Sequence, residues 1–553
     1  MPPQPRLPRF ALPPSPLALA ALAAAFVLPG LAGHDPWKSH DALGIGIAWD
    51  MAQSGDAIVP RIAGNAWLAD PPLYHWFAAA LGSVVSAAGK LVGLAIEFHA
   101  AARLASGAFV AAALWLVYIA ARDWSLGEER SRLTASGALL LLLGCVGLLV
   151  HAHEAVPELA ALAAVCGAFA VLPHAVRRPL AAGALFGVSL GFAFLSSLWI
   201  PPAAVVAAVL VAFAACPEWR NRRMAVFLAA AIAAGGAVSA TWPIALYMRS
   251  PDLFFQWWRI NMEPYDTASA NLRYFVVTLS WFAWPAWPLA LWAAWALRRR
   301  FGDPRVLVPS ASVLLMVAAL AWWGPALDVN LTALLAPLVL LASQGIPTLR
   351  RGAAAALDWF GVVTFAFFAG LVWLGYAGMM TGIPPKVEAN FVRAAPGFAP
   401  HFELAPFLFA LALTAGWLFV VLFSAPSPLR SVARWAAGMT LLWGTFSMLW
   451  MPWADYQKSY RSVAHALREK VGASPGCIAA RSLGVPQAAA FDYHESLRTI
   501  PYDPRHPHAC RLLVVQGSAS DTEGPGSAWL RIAELARPGD RNERHRLYRA
   551  ASR

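Results

Sequence analysis

Apolar segments about 20 residues long recur along most of the chain, and this repetition constrains the fold more than any other feature. A helix needs about that length to cross the hydrocarbon core of a membrane. The sequence therefore predicts a polytopic all-α membrane protein with about thirteen spanning helices. The predicted spans are 12–33, 99–121, 133–152, 155–172, 179–196, 198–215, 225–247, 275–297, 306–323, 329–346, 354–379, 404–424 and 435–451.

Composition separates the membrane part from a soluble tail. The chain has 553 residues, of which 59% are hydrophobic and 13% charged, with a mean hydropathy of +0.55. Soluble domains carry about 25% charged residues. The last 99 residues hold 25 charged residues, whereas the preceding 454 hold only 47. We therefore predict a transmembrane domain over 1–454 and a soluble domain over 455–553.

The first apolar run, 12–33, follows Arg6 and Arg9 and so resembles a signal peptide. It is too long for the apolar core of a signal peptide and lacks a clean small-residue cleavage site, so we interpret it as an uncleaved first span. The segment 76–96 is also apolar, but counting it as a span would invert every later loop. We predict that it is a helix lying at the outer membrane face.

The placement of the arginines predicts the orientation of the chain across the membrane. With a cytoplasmic N-terminus, the inner loops hold 18 Lys and Arg residues and the longer outer loops hold 8. This asymmetry fits the positive-inside rule for a bacterial inner-membrane protein, and an odd number of spans then places the C-terminal domain in the periplasm. The net charge of +12 could suggest nucleic acid. We predict no nucleic-acid partner, because the basic residues of the membrane part sit in short loops and no zinc-finger spacing or phosphate-binding glycine loop occurs.

The tail is predicted to be a small α/β domain that covers or frames the outer face. A helix near 459–471 carries apolar residues at spacings of four. Strands are predicted near 477–480 and 512–516, with a further one near 529–536. Cys477 and Cys510 both lie in the soluble tail and are the only plausible disulfide pair, provided that the tail faces an oxidising compartment.

Three predicted outer loops are longer than a connection requires, namely 34–98, 248–274 and 380–403. Long ordered loops on a rigid scaffold often carry function. The first loop is the richest in ionisable and aromatic residues. It contains HDPWKSHD from His34, GDAIVPRIAG from Gly55 and DPPLYHW from Asp70.

These motifs, placed after a first span, resemble the signature of bacterial GT-C-type glycosyltransferases. That group includes the aminoarabinose-to-lipid-A transferases and the protein O-mannosyltransferase-like enzymes. The motif match covers about residues 34–78, and the plan of spans with an exterior tail extends the resemblance over the chain. It implies a GT-C-like fold. It also implies transfer of a sugar from undecaprenyl (polyprenyl) phosphate to an acceptor on the outer side, such as lipid A, another glycolipid or a protein.

The resemblance has two departures in the first loop. Family members usually carry Asp-Glu where this chain has His40-Asp41, and Glu-Lys where it has Ala69-Asp70. The first acid of the pair usually has the catalytic role, and His40 aligns with it. Asp41 lies one position along. The resemblance therefore points to Asp41 or His40 as the catalytic residue.

Sugar transfer from a lipid phosphate sets chemical requirements of its own. The acceptor hydroxyl needs a base, for which Asp41 or His40 is the candidate and Asp35 the reserve. The departing phosphate needs positive charge, for which Lys38, Arg61 and Arg259 are the nearest candidates. Further candidates for contact with substrate are Asp35, Asp70, Tyr74 and His75. No cofactor is certain. A divalent cation between Asp35, Asp41 and a lipid phosphate stays open, because no ligand spacing demands one.

Each candidate also has a structural interpretation. Asp41 could cap a helix, Arg61 could reach up to the headgroups, and the aromatic stretch around Arg259 could anchor the chain at the bilayer surface. His151, Glu154 and Glu158 form either a metal site or a polar loop at the outer mouth, with Pro157 interrupting any shared helix face.

Two alternative functions remain at the level of sequence. One is a catalytically silent relative that binds polyprenyl phosphate, which the two departures keep open. The other is a transporter of a lipid-linked sugar. Few ionisable residues lie at the centres of the predicted spans and no inverted repeat is evident, which argues against transport.

Overall fold

The computed structural model describes residues 13–37, 39–264, 268–472, 476–506, 509–521 and 524–551. Its first half forms helices joined by a short hairpin in the first loop. These elements are α1 (Pro16–Val27), α2 (His40–Ser54), β1 (Arg61–Ile62), β2 (Asn65–Ala66), α3 (Leu73–Leu91), α4 (Phe98–Ala102), α5 (Leu104–Asp123), α6 (Ser131–Gly144), α7 (Leu148–His151), α8 (Glu158–Val171), α9 (Pro179–Ser197) and α10 (Ile200–Ala215).

The chain then continues as helices up to the tail. They are α11 (Arg222–Arg249), α12 (Pro251–Met262), α13 (Ala268–Phe282), α14 (Ala286–Ala296), α15 (Pro304–Trp323), α16 (Leu335–Gly345), α17 (Arg351–Thr381), α18 (Pro385–Ala394), α19 (Leu404–Phe423), α20 (Arg430–Leu449) and α21 (Met451–Lys458). Each predicted span overlaps at least one of these helices, which confirms the mostly helical architecture.

The number of spans is a separate question. Among the described residues, 6 helices are long and apolar enough to cross a membrane, or 7 if the bent pair α13–α14 is one span. Several other apolar helices, such as α1 and α6, are shorter. The count of thirteen and the periplasmic placement of the tail therefore stay predictions. The predicted outer helix at 76–96 corresponds to α3, which is not among the candidate spans.

Two helix breaks meet inside the membrane domain. Helices α13 and α14 are bent by 98°, and their junction lies against the break between α6 and α7. Val146 N–H donates to the Trp284 carbonyl at 3.1 Å, and Gly147 N–H donates to the Phe282 carbonyl at 2.7 Å. Backbone groups freed in an apolar region must find such partners. Each break therefore supplies hydrogen bonds that the other needs.

The tail is a small α/β domain, as predicted. Its elements are α22 (Arg461–Val471), β3 (Ile478–Arg481), α23 (Val485–Glu495), β4 (Thr499–Pro501), β5 (Leu512–Ser518), β6 (Trp529–Leu535) and β7 (Glu543–Ala550). The sheet order is β4-β3-β5-β7-β6, with β3 parallel to β4 and β5 and with β7 antiparallel to β5 and β6. Cys477 and Cys510 form the predicted disulfide. The sequence did not predict α23, β4 or β7.

Candidate functional site

Helix α2 of the first loop lies between the membrane domain and the tail. A Cβ atom on Gly44 would lie 1.8 Å from the Ala155 carbonyl oxygen, and one on Gly46 would lie 2.8 Å from the Cβ of Ala489 on α23. Only glycine permits both approaches. The start of α2, with His40 and its neighbour, is thereby held against the segment that links α7 to α8.

Asp41 is held in a buried ion pair rather than exposed to a pocket. Arg103 donates to the two carboxylate oxygens at 3.1 and 2.6 Å, and Ala155 N–H donates at 2.8 Å. Asp41 is 1% exposed and Arg103 is 0% exposed. Arg103 also donates to the carbonyl oxygens of His34 and Asp35, at 2.9 Å each. The pair therefore fixes the entry of the first loop onto α5.

Two other first-loop candidates are buried close by. The Tyr74 hydroxyl lies 2.7 Å from the Ser106 hydroxyl, which donates to the Glu154 carbonyl at 2.7 Å. His75 packs edge-on against Tyr74, and burial lowers its pKa to about 4. Both side chains brace α3 inside the domain.

Asp35 joins the first loop to the tail. Arg461 donates through Nε at 2.9 Å, and the Ser459 hydroxyl donates at 2.6 Å. Burial alone would raise the pKa of Asp35, but these donors bring it below its ordinary value. Nearby Asp455 accepts from Asp35 N–H and from the Trp37 indole, at 2.8 Å each. Burial and the Asp35 charge raise the pKa of Asp455 to about 6.

His40 faces a different set of ionisable groups, which we call the outer cluster: His40, Asp70, His151, Glu154 and Asp328. His151 Nδ1 lies 2.7 Å from Glu154 Oε2, and His151 Nε2 lies 3.3 Å from Asp328 Oδ2. With a carboxylate at each ring nitrogen, His151 is arranged as an imidazolium, the form in which both nitrogens donate. His40 Nε2 lies 4.0 Å from Asp328 Oδ1.

The environment of His40 favours its neutral form. Burial lowers the pKa of His40, and the nearby carboxylates, chiefly that of Glu154, oppose this shift without cancelling it. Asp70 lies within electrostatic reach of His40 and accepts from the Trp67 indole at 2.7 Å. Burial raises the pKa of Asp70. The outer cluster thus places a neutral imidazole among several acidic groups.

Arg61 and Arg259, two of the predicted phosphate ligands, are not part of the outer cluster. Lys38 lies outside the described residues. Arg61 lies 3.8 Å from Asp56 and donates to the Gly64 carbonyl at 3.5 Å. Arg259 is exposed on α12 and makes no hydrogen bond or ion pair with a described residue.

A lysine that the sequence did not single out packs against Trp37 of the first loop. The Lys458 ammonium lies 4.6 Å from the centre of the Trp37 ring. Burial lowers the pKa of Lys458, and Glu154 of the outer cluster opposes that shift. Lys458 is therefore within electrostatic reach of the cluster, where the Glu154 charge favours its charged form.

The structure brings together some predicted residues and leaves others apart. His40 and Asp70 meet in the outer cluster, whereas Asp35, Asp41, Tyr74 and His75 have packing or linking contacts. The sequence did not single out Asp328, which contacts both histidines of the cluster. Across the described residues, no group of three or more His, Cys, Asp or Glu side chains could hold a metal ion. The divalent cation stays a prediction.

Comparison with known proteins places the fold. No family model matches the chain, and no curated protein does. The chain is similar to the crystal structure of ArnT from Cupriavidus metallidurans bound to undecaprenyl phosphate, with a TM-score of 0.67 and 16% identity, covering 96% of this chain and 97% of that one. The apo ArnT structure from the same organism gives a TM-score of 0.66 at the same identity and coverage.

A weaker similarity links the chain to the archaeal oligosaccharyltransferase AglB from Archaeoglobus fulgidus in complex with an inhibitory peptide and a dolichol-phosphate. The TM-score is 0.43 at 11% identity, covering 90% of this chain and 68% of that one. This likeness is too weak to support an inference. The ArnT likeness extends over both the membrane part and the tail, so the chain has the fold of the ArnT structures.

Proposed function

We propose that the protein is a glycosyltransferase that moves a sugar from undecaprenyl (polyprenyl) phosphate to an acceptor on the outer side of the bacterial inner membrane. The acceptor would be lipid A, another glycolipid or a protein. The observation that carries the proposal is the outer cluster, where a neutral histidine faces carboxylates beside a lysine. The fold shared with an undecaprenyl phosphate-bound ArnT supports the choice of donor.

In this proposal His40 is the general base. The acceptor hydroxyl gives its proton to the imidazole while its oxygen attacks the anomeric carbon. The bond from that carbon to the phosphate oxygen breaks, and polyprenyl phosphate leaves with the electron pair. The imidazolium so formed lies near Asp328 and Glu154, whose negative charges stabilise it.

The leaving phosphate needs a cation, and we assign Lys458 to it. Its ammonium is within electrostatic reach of Glu154, and a lysine binds phosphate as a point charge. Arg259 remains a second candidate because α12 flanks the first loop: Asn261 donates to the Leu68 carbonyl at 2.9 Å. Arg61 and Lys38 stay candidates from the sequence.

Asp41 then has a positioning role. Its carboxylate already accepts from Arg103 and from Ala155 N–H, so taking a proton from substrate would break a fully buried pair. Breaking such a pair is costly. Asp35 likewise holds the tail against the first loop. Both residues fix the walls around the outer cluster rather than reacting.

The experiment is mass spectrometry of lipid A, other glycolipids and exported glycoproteins from cells with the protein, without it, and with His40→Gln. We expect one sugar modification to disappear in both altered strains. A modification that persists with His40→Gln would overturn the role of His40. Unchanged profiles in all three strains would contradict transfer and favour a relative that only binds the lipid.

A further inference from the structure

An apolar groove lies between α14 and α17, and no residue of the outer cluster lines it. Its volume is about 450 Å³. Helix α14 contributes Pro288, Leu289 and Trp292, and α17 contributes Ala353, Ala356 and Leu357. Small residues on the α17 side leave room for a chain to lie against the bulkier side chains of α14.

Five arginines lie in the segments that follow α14 and begin α17, at one end of this groove. Arg298–Arg300 form a single turn directly after α14, and Arg350 and Arg351 lie at the start of α17. The Trp292 indole donates to the Thr348 hydroxyl at 3.2 Å, and the Arg350 guanidinium lies 5.7 Å from the Trp292 ring centre. The two arginine segments are thereby brought to the same end of the groove.

None of these arginines is neutralised by a carboxylate among the described residues. Arg298 stacks on Trp295 at 4.4 Å and donates to that residue's carbonyl. The others are exposed and unpaired with acidic side chains. Helix α17 adds to the positive field, because it begins here without a side-chain cap on its first N–H groups. Such groups and the helix dipole favour an anion.

We infer that this groove binds an anionic phospholipid of the leaflet on the arginine side, with an acyl chain in the groove and the phosphate among the arginines. Basic pockets between membrane helices on the cytoplasmic side are a known form of anionic-lipid site. The charge pattern assigns the arginine end to the cytoplasm. From Ala353 to Phe360, α17 rises about 10 Å, which is within one leaflet of a core about 30 Å thick.

The site is independent of the proposed transfer reaction, which takes place at the outer cluster. Positive-inside arginines alone would attract acidic lipid to the surface without a slot for its chain. Binding in the groove depends on an acyl chain of the lipid as well as on the negative charge of its phosphate. An experiment can therefore separate a built site from general surface attraction.

The test is native mass spectrometry of the purified full-length protein mixed with cardiolipin or with phosphatidylcholine. We expect one cardiolipin to be retained in preference to phosphatidylcholine. The triple variant Arg299→Gln, Arg300→Gln, Arg350→Gln should weaken retention about a hundredfold, the effect expected for three arginines beside an acidic lipid. The matched control, Arg222→Gln with Arg223→Gln at the start of α11, should retain it.

A second pair of variants tests the slot. Ala353→Trp, and the smaller change Ala356→Phe, fill the groove while leaving every arginine in place, and each should weaken retention. Thermal denaturation checks that the variants are folded. If Ala353→Trp does not fold, the result is taken from Ala356→Phe. Equal retention of the two lipids, unchanged retention in the triple variant or in the folded groove variant, or displacement by inorganic phosphate would each overturn the inference.

Discussion

Arg103 donates two hydrogen bonds, of 3.1 and 2.6 Å, to the Asp41 carboxylate, and both side chains are buried. The pair lies between α2 and α5, one residue away from His40. Asp41 belongs to a motif that predicts a catalytic acid, yet its buried pair with Arg103 gives it a structural role. The neighbouring histidine is then left to face the outer cluster.

Replacing Asp41 with Asn should destabilise the fold. The variant leaves the Arg103 charge buried without its counter-charge, which costs about 3–5 kcal/mol. We expect a clear fall in the denaturation temperature and little folded protein in the membrane. Glu97→Gln is the control, since Glu97 is exposed in the same region and makes no ion pair with a described residue. A stable but inactive Asp41→Asn protein would instead indicate that Asp41 takes part in the chemistry.

The pH dependence of transfer should report on His40. A base must be unprotonated, so the rate should rise with pH through the pKa of His40 and then level off. Because burial lowers that pKa, the inflection of kcat/KM should fall below 6.5, the ordinary value. The measurement is kcat/KM between pH 4.5 and 8. An inflection at or above 6.5 would argue against His40.

Substitutions of His40 should distinguish a role as general base from a role in shaping the site. His40→Gln should lower kcat by about a hundredfold or more, the usual contribution of a general base. His40→Asp restores a carboxylate base, so part of the activity should return with the acid limb shifted to lower pH. Equal loss in both variants, with both folded, would mean that the imidazole is needed for a reason other than proton transfer.

Lys458 should govern affinity for the donor. Replacing it with Met removes the proposed partner of the phosphate, and we expect the KM for the lipid-linked sugar to rise about tenfold or more. Lys458→Arg should retain most of the affinity. Lys470→Met is the matched control, since Lys470 is exposed on α22 and makes no ion pair with a described residue. Unchanged donor KM in Lys458→Met would remove Lys458 from the phosphate site.

The contact between Asp35 and Arg461 should hold the tail on the membrane domain. Arg461→Ala should loosen α22 and its surroundings by about 1 kcal/mol, a modest value because the guanidinium is half exposed and screened by solvent. Faster hydrogen exchange in α22 would show this. Arg481→Ala, which removes an exposed arginine that has no ion pair among the described residues, should leave exchange unchanged. Equal exchange in both variants would mean that other contacts dominate the interface.

Local patterns predicted the helices and much of the tail, because hydrophobic length and periodicity act within a segment. The strand β7 was missed for the same reason: its sequence ERHRLYRA is highly charged, and it becomes a strand by pairing with β5 and β6. The paired helix breaks near Gly147 and Trp284 could not be predicted from the sequence either. Each break is stabilised by a segment more than a hundred residues away.

The first loop was recognised from its motifs, but the roles of its residues depend on distant partners. Asp328 joins the outer cluster only because the connection before α16 folds against the break after α7. A usable signal did exist for Asp41. Arg103 lies inside an apolar run, and an ionisable residue in a predicted span calls for a partner.

The central claim is tested most directly by turnover of the donor. The purified protein, reconstituted in liposomes with a polyprenyl-phosphate sugar and with lipid A, another glycolipid or an exported protein as acceptor, is assayed for polyprenyl phosphate. The account predicts that polyprenyl phosphate accumulates together with glycosylated acceptor, and that both products fall sharply with His40→Gln. Binding of the donor with no release of polyprenyl phosphate for any acceptor would contradict it.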